Sequence, residues 1–82
     1  MERIGIIAII VDGNQVGGEA PQKIQALLSE YAECILARTG IPIRDMGVSA
    51  ISVIIRAKLE TFSALTGKLG RISGVSVKSL IK

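Results

Sequence analysis

The sequence has no histidine and no tryptophan, and of the other aromatics it has one tyrosine and one phenylalanine. Without histidine the chain loses the commonest metal ligand and the commonest general base near neutral pH. Cys34 is the single cysteine, which excludes an intramolecular disulfide. One thiol and scattered carboxylates do not make a zinc site. Proline occurs twice, at Pro21 and Pro42. Long hydrophobic runs are also missing. The longest, Ile4 to Val11, is far too short to span a bilayer. Met1-Glu-Arg-Ile lacks the basic region and small-residue cleavage site of a signal peptide, so a cytosolic location is expected.

What remains is aliphatic. Of 82 residues, 49% are hydrophobic and only 2% aromatic, so the core must be built from Ile, Val, Leu and Ala. That share excludes a disordered chain, and the length suits one domain over 1–82 that is small enough to gain from oligomerisation. The net charge of +3 is unevenly placed. From Arg56 onward come Arg56, Lys58, Lys68, Arg71, Lys78 and Lys82, against Glu60 alone. That half is either an ordinary solvated surface or an attractor of anions and nucleic acid.

Two stretches read as strands with two apolar faces. In Val48–Ala57, Ile51, Val53, Ile55 and Ala57 alternate with Val48, Ala50, Ser52, Ile54 and Arg56. In Arg3–Val11, Ile4, Ile6, Ala8 and Ile10 alternate with Gly5, Ile7, Ile9 and Val11. Both suit central strands covered on each side. Asp12 to Ala20 breaks the pattern with three glycines and reads as a loop. It has no Gly-Lys-Ser/Thr ending and is neither a P-loop nor a dinucleotide fingerprint. Its backbone N–H groups are suited to a small anion.

Pro21 fits the first turn of a helix. Ile24, Leu27, Leu28, Tyr31, Ala32, Ile35 and Leu36 then recur at steps of three and four. The spacing predicts one helix that Gly40 ends. Ile41-Pro42-Ile43-Arg44 reads as a short edge strand, because proline cannot donate to a ladder. Asp45-Met46-Gly47 turns it into the following strand. Leu59 to Leu69 is a second helix, with Phe62, Leu65 and Leu69 inward and a poor N-terminal cap. Val75 to Ile81 is the other edge strand, with Lys78 discouraging stray pairing. Strand, helix, strand, strand, helix, strand is the ferredoxin-like α+β plan: a four-stranded antiparallel sheet with two helices on one face. Its other face stays bare and apolar, which is abnormal for a soluble monomer. A homo-oligomer, dimer or tetramer, is therefore expected through the sheet, with Ala50, Ser52 and Ile54 at the contact.

Several segments carry a family resemblance that spans essentially the whole chain. Val48-Ser-Ala-Ile-Ser-Val-Ile54, Ser63-Ala-Leu-Thr-Gly-Lys-Leu-Gly70 and Ser73-Gly-Val-Ser-Val-Lys-Ser79 resemble the small ACT-like iron-only hydrogenase system regulators. Arg3-Ile-Gly-Ile-Ile7 and Arg38-Thr-Gly-Ile-Pro42 resemble the same group. The glycine-rich loop from Gly13 to Gly18 is the main departure. The resemblance implies an ACT-type fold, assembly through the sheets, a regulatory role without catalysis, and a small effector beside the first strand–helix loop. Asp12, Gly13, Asn14, Gly17 and Gly18 are the candidate contacts there. The fold is also similar to the effector domain of nickel-responsive repressors, whose histidine-based metal site has no counterpart in a chain without histidine. No cofactor or catalytic residue is expected. The alternative is a nucleic-acid-binding regulator acting through Lys68 and Arg71. Direct DNA contact is not expected, because aromatics that stack on bases are missing.

Overall fold

The computed structural model describes residues 1–13 and 19–82. The chain runs β1 (Arg3–Asp12), α1 (Ala20–Glu30), β2 (Ile35–Ile43), β3 (Val48–Ala57), α2 (Leu59–Gly70) and β4 (Val75–Ile81). Short 3-10 turns occupy Ala32–Cys34 and Arg44–Met46. The four strands form one antiparallel sheet in the order β2-β3-β1-β4. This is the ferredoxin-like arrangement, with the two doubly apolar strands at the centre and the Pro42 and Lys78 strands at the edges.

Alternation along the strands sorts the side chains. Gly5, Ile7, Ile9 and Val11 of β1 are buried, as are Val53, Ile55 and Ala57 of β3. Ala20, Ile24 and Leu28 of α1 and Phe62, Leu65 and Leu69 of α2 close over them. Each large side chain so buried contributes about 1.5–3 kcal/mol before ordering entropy is subtracted. No polar or charged side chain is buried among the described residues, so apolar packing alone makes this core. Gly5 is buried because a ring needs its place. A Cβ there would overlap Cε1 of Phe62 and lie 3.0 Å from the Leu80 carbonyl oxygen.

One boundary differs from the sequence expectation. The helical spacing from Ile24 to Leu36 predicts a helix ending at Gly40, yet α1 stops at Glu30 and β2 begins at Ile35. The ladder explains this. β3 is ten residues long, and a partner starting only at Ile41 would leave half of its outer backbone groups unpaired. With β2 extended, Ile35 pairs with Ile55 and Ile43 with Val48. Tyr31, Cys34 and Ile35 still pack on the core as their spacing implied. Leu36 does not. It is the extra residue where the register shifts between Ile35 and Ala37, and it is exposed. Gly40 therefore lies inside a strand and ends no helix.

Backbone geometry fixes the edges and turns. Gly13 N–H donates to the Gly47 carbonyl at 2.8 Å. Alternation from that bond turns the N–H and C=O groups of residues 48, 50, 52 and 54 toward β2, and those of Arg38, Gly40 and Pro42 away from β3. Pro42 thus lacks an N–H where no ladder bond is made. Gly47, at φ 68°, and Gly74, at φ 82°, supply the left-handed turns into β3 and β4. As expected, α2 starts without a side-chain cap, Lys58 preceding its first turn.

Candidate functional site

The sheet presents one face to the helices and one to solvent. On the solvent face cross-strand neighbours form rows. Ile41, Ala50, Ile10 and Ser76 make one row, and Thr39, Ser52, Ala8 and Lys78 the next. Ala37, Ile54, Ile6 and Leu80 make the third. The large side chains stand out: Ile4 is 47% exposed, Ile6 42%, Ile10 46%, Ile41 58%, Ile54 37% and Leu80 72%. Over the first two rows the small side chains Ala8, Ala50, Ser52 and Thr39 floor a groove of about 270 Å³, with Ile10 and Ile41 beside them. Charge is confined to the margins. Arg56 pairs with Glu2 at 3.0 Å, and Lys78 sits on edge strand β4. Ala50, Ser52 and Ile54 all lie on this face, where alternation placed them.

The first strand–helix connection leaves from one end of the sheet. Asp12 closes β1, and its N–H donates to the Gly74 carbonyl at 2.7 Å. Gly13 is tied to Gly47, and a Cβ on it would meet the Gly47 carbonyl oxygen at 3.0 Å. A shallow depression of about 200 Å³ opens beside it, against Pro42, Arg44, Val48 and Ser49. Asn14, Gly17 and Gly18, the other candidate contacts, lie outside the described residues.

A neighbouring cleft of about 190 Å³ was not anticipated. It runs between α1 and the β2–β3 hairpin and is lined by Val11, Pro21, Ile24, Gln25, Gly40 and Ile51 among others. It shares Pro42 and Ser49 with the depression beside Gly13. The space exists because Gly40 projects nothing toward α1. A Cβ there would meet only Ile51 Cγ1, at 3.7 Å. Arg38, two residues before Gly40 on the same side of β2, donates from Nη2 to Gln25 Oε1 at 2.8 Å.

Lys68 and Arg71 do not form a free basic pair. Lys68 Nζ donates to the Tyr31 hydroxyl at 2.9 Å and lies 3.7 Å from Glu30 Oε1. The same ammonium is 5.1 Å from the Tyr31 ring centroid, a separation set by its bond to the hydroxyl. The hydroxyl bond, reinforced by the Glu30 charge, raises the Lys68 pKa above its ordinary 10.5. These contacts tie α2 to α1. Arg71 caps the end of α2 and is exposed. Among the described residues no cluster of three or more His, Cys, Asp or Glu has metal-site geometry. Cys34 is half-buried against the core. No described helix is long and apolar enough to cross a membrane.

The fold and chain length have counterparts among solved structures. The chain is 34% identical to the uncharacterized protein TM1266 from Thermotoga maritima, with 99% of this chain and 98% of that one covered and a TM-score of 0.92. The ACT domain from GTP pyrophosphokinase of Chlorobium tepidum superposes at a TM-score of 0.80 over 98% of this chain and 100% of that one. At 17% identity that likeness concerns the fold. A formyltetrahydrofolate deformylase from Pseudomonas putida KT2440 contains the same fold in 28% of its length, at 16% identity and a TM-score of 0.63. No curated protein sequence matches the chain. Residues 3–79 match the model of the TM1266-like family, described as "Iron-only hydrogenase system regulator, putative", and the chain belongs to that family.

Proposed function

We propose that the protein is a non-catalytic regulatory module that works as a homo-oligomer joined through the open face of its sheet. Membership of a regulator family with an ACT-like fold supports the regulatory part. The observation that carries the assembly is the open face itself, where Ile4, Ile6, Ile10, Ile41, Ile54 and Leu80 all stand more than a third exposed.

The area suits a second copy. Four strands spaced about 4.8 Å apart, seven to ten residues long at about 3.3 Å each, project roughly 450–600 Å². Two such faces bury on the order of 1,000 Å² together, the lower bound for a specific interface. In the proposed pair Ile6 and Ile54 of one copy would seat over Ala8, Ala50 and Ser52 of the other, and a two-fold axis would repeat the contact. Lys78 lies at the margin, where its stem covers apolar surface while its ammonium reaches water. The nucleic-acid alternative gains no such support, since Lys68 is already held by Tyr31 and Glu30.

The end of the sheet near Asp12 and Gly13 is the effector site in this reading, supported by the ACT-type resemblance and by the shallow depression there. Its binding would bias assembly or the exposure of a partner surface, and regulation would act through that equilibrium. Sedimentation equilibrium at micromolar concentration tests the assembly. A mass that is a multiple of the 8.7 kDa chain is expected, and a monomer would refute the proposal.

A further inference from the structure

The cleft between α1 and the β2–β3 hairpin has a floor and a rim of different chemistry. Val11, Ile24 and Ile51 make the floor apolar. Gln25 and Ser49 are the polar residues of its lining, and the Arg38 guanidinium, just outside that lining, donates to the Gln25 amide oxygen. Arg38 forms no ion pair among the described residues. Its hydrogen bond goes to a neutral amide and the side chain is exposed, so its charge is met by water and by no described acid. The described lining contains no carboxylate. The volume of about 190 Å³ slightly exceeds that of an apolar cavity that accepts benzene, roughly 150 Å³.

We infer that this cleft binds a small branched aliphatic monocarboxylate, with its hydrocarbon end on Ile24 and Ile51 and its carboxylate on Arg38. The inference rests on the effector reading above and moves its site from the Asp12–Gly13 end into the adjoining cleft, which shares Pro42 and Ser49 with the depression there. Guanidinium and carboxylate meet in a charge-assisted pair stronger than the present bond to Gln25. An amino acid with the same side chain is disfavoured, since its ammonium would lie beside the like charge of Arg38 with no acid in the described lining to meet it. Gly40 is the selectivity element, because any side chain there enters the space.

The test uses 3-methylbutanoate as probe, with leucine, acetate and 3-methylbutan-1-ol as comparisons, followed by methyl and amide NMR shifts of the full chain. Saturable shifts at Ile24, Ile51 and Gly40 are expected with 3-methylbutanoate, at a millimolar dissociation constant typical of so small a ligand. Leucine, acetate and the alcohol should each bind at least about fivefold more weakly. Arg38→Gln should weaken 3-methylbutanoate by about tenfold, and Gly40→Leu should abolish its binding while the remaining spectrum stays folded. The inference is overturned by the absence of shifts up to about 50 mM, tenfold or more above such a constant. It is equally overturned by leucine binding as tightly, or by Arg38→Gln binding unchanged. Sedimentation of the unliganded chain is independent of all these outcomes, so loss of the ligand class would leave the assembly untouched.

Discussion

At the scale of single residues, Gly5 and Lys68 show opposite kinds of constraint. Gly5 is fixed by volume. Its missing Cβ is the space that Phe62 fills, with the Leu80 carbonyl closing the other side. Gly5→Ala should therefore destabilise the protein by about 1–3 kcal/mol, the cost of overpacking a filled core. Urea unfolding followed by circular dichroism measures it, and an unchanged midpoint would show that the ring can move freely. Lys68 is fixed by charge. Its pKa is raised, chiefly by the Tyr31 hydroxyl and then by Glu30. A group whose folded pKa is raised gives stability that is complete below its unfolded value and fades as pH climbs through the folded one. The gap in melting temperature between wild type and Lys68→Met should accordingly be constant below the ordinary lysine value near 10.5 and close above it. A gap that widens at alkaline pH would show that Lys68 acts by packing instead.

At the scale of elements, α2 carries a deliberate-looking weakness. Gly67 lies in its interior, has no positive φ, and a Cβ there would meet nothing within 4 Å. Nothing in the single chain requires glycine, so Gly67→Ala should stabilise by about 0.5–1 kcal/mol through helix propensity. A fall in thermal midpoint would reveal a contact on that flank made by another copy. The elements also differ in how plainly the sequence announces them. β1, β3, α2 and β4 are legible because their periodicity and their packing agree. The end of α1 is not, because Tyr31, Cys34 and Ile35 satisfy a helical stripe and also pack inward from a turn and a strand. Pairing with β3 decides between the two, and pairing is not local information. The open face is legible for the same reason as the strands, since alternation alone put Ala50, Ser52 and Ile54 on it. The cleft is invisible in the sequence. It arises from where α1 stops and from Gly40 falling at a helix-facing position of β2, and a glycine two residues before Pro42 reads locally as a helix stop.

At the scale of the whole molecule, the arrangement is a thin one. One apolar layer lies between sheet and helices, and the sheet's other surface is nearly as apolar as the first. A chain of 82 residues gains little from its own core, and in the proposed pair the doubled sheet would supply a second apolar layer without a longer chain. Ile54 stands near the middle of that surface, opposite Ile6 on β1 and Ala37 on β2. In the single chain a longer polar side chain at this position points into water and leaves the core intact. In the assembled pair it buries two unpaired charges about the two-fold axis, which should weaken association at least a hundredfold. The decisive measurement is sedimentation equilibrium of the wild type beside Ile54→Lys at the same micromolar concentration. A wild-type mass at a multiple of 8.7 kDa that falls toward 8.7 kDa in a folded Ile54→Lys is the expected result. A wild-type monomer, or a variant that keeps the full mass, would contradict assembly through the open face of the sheet.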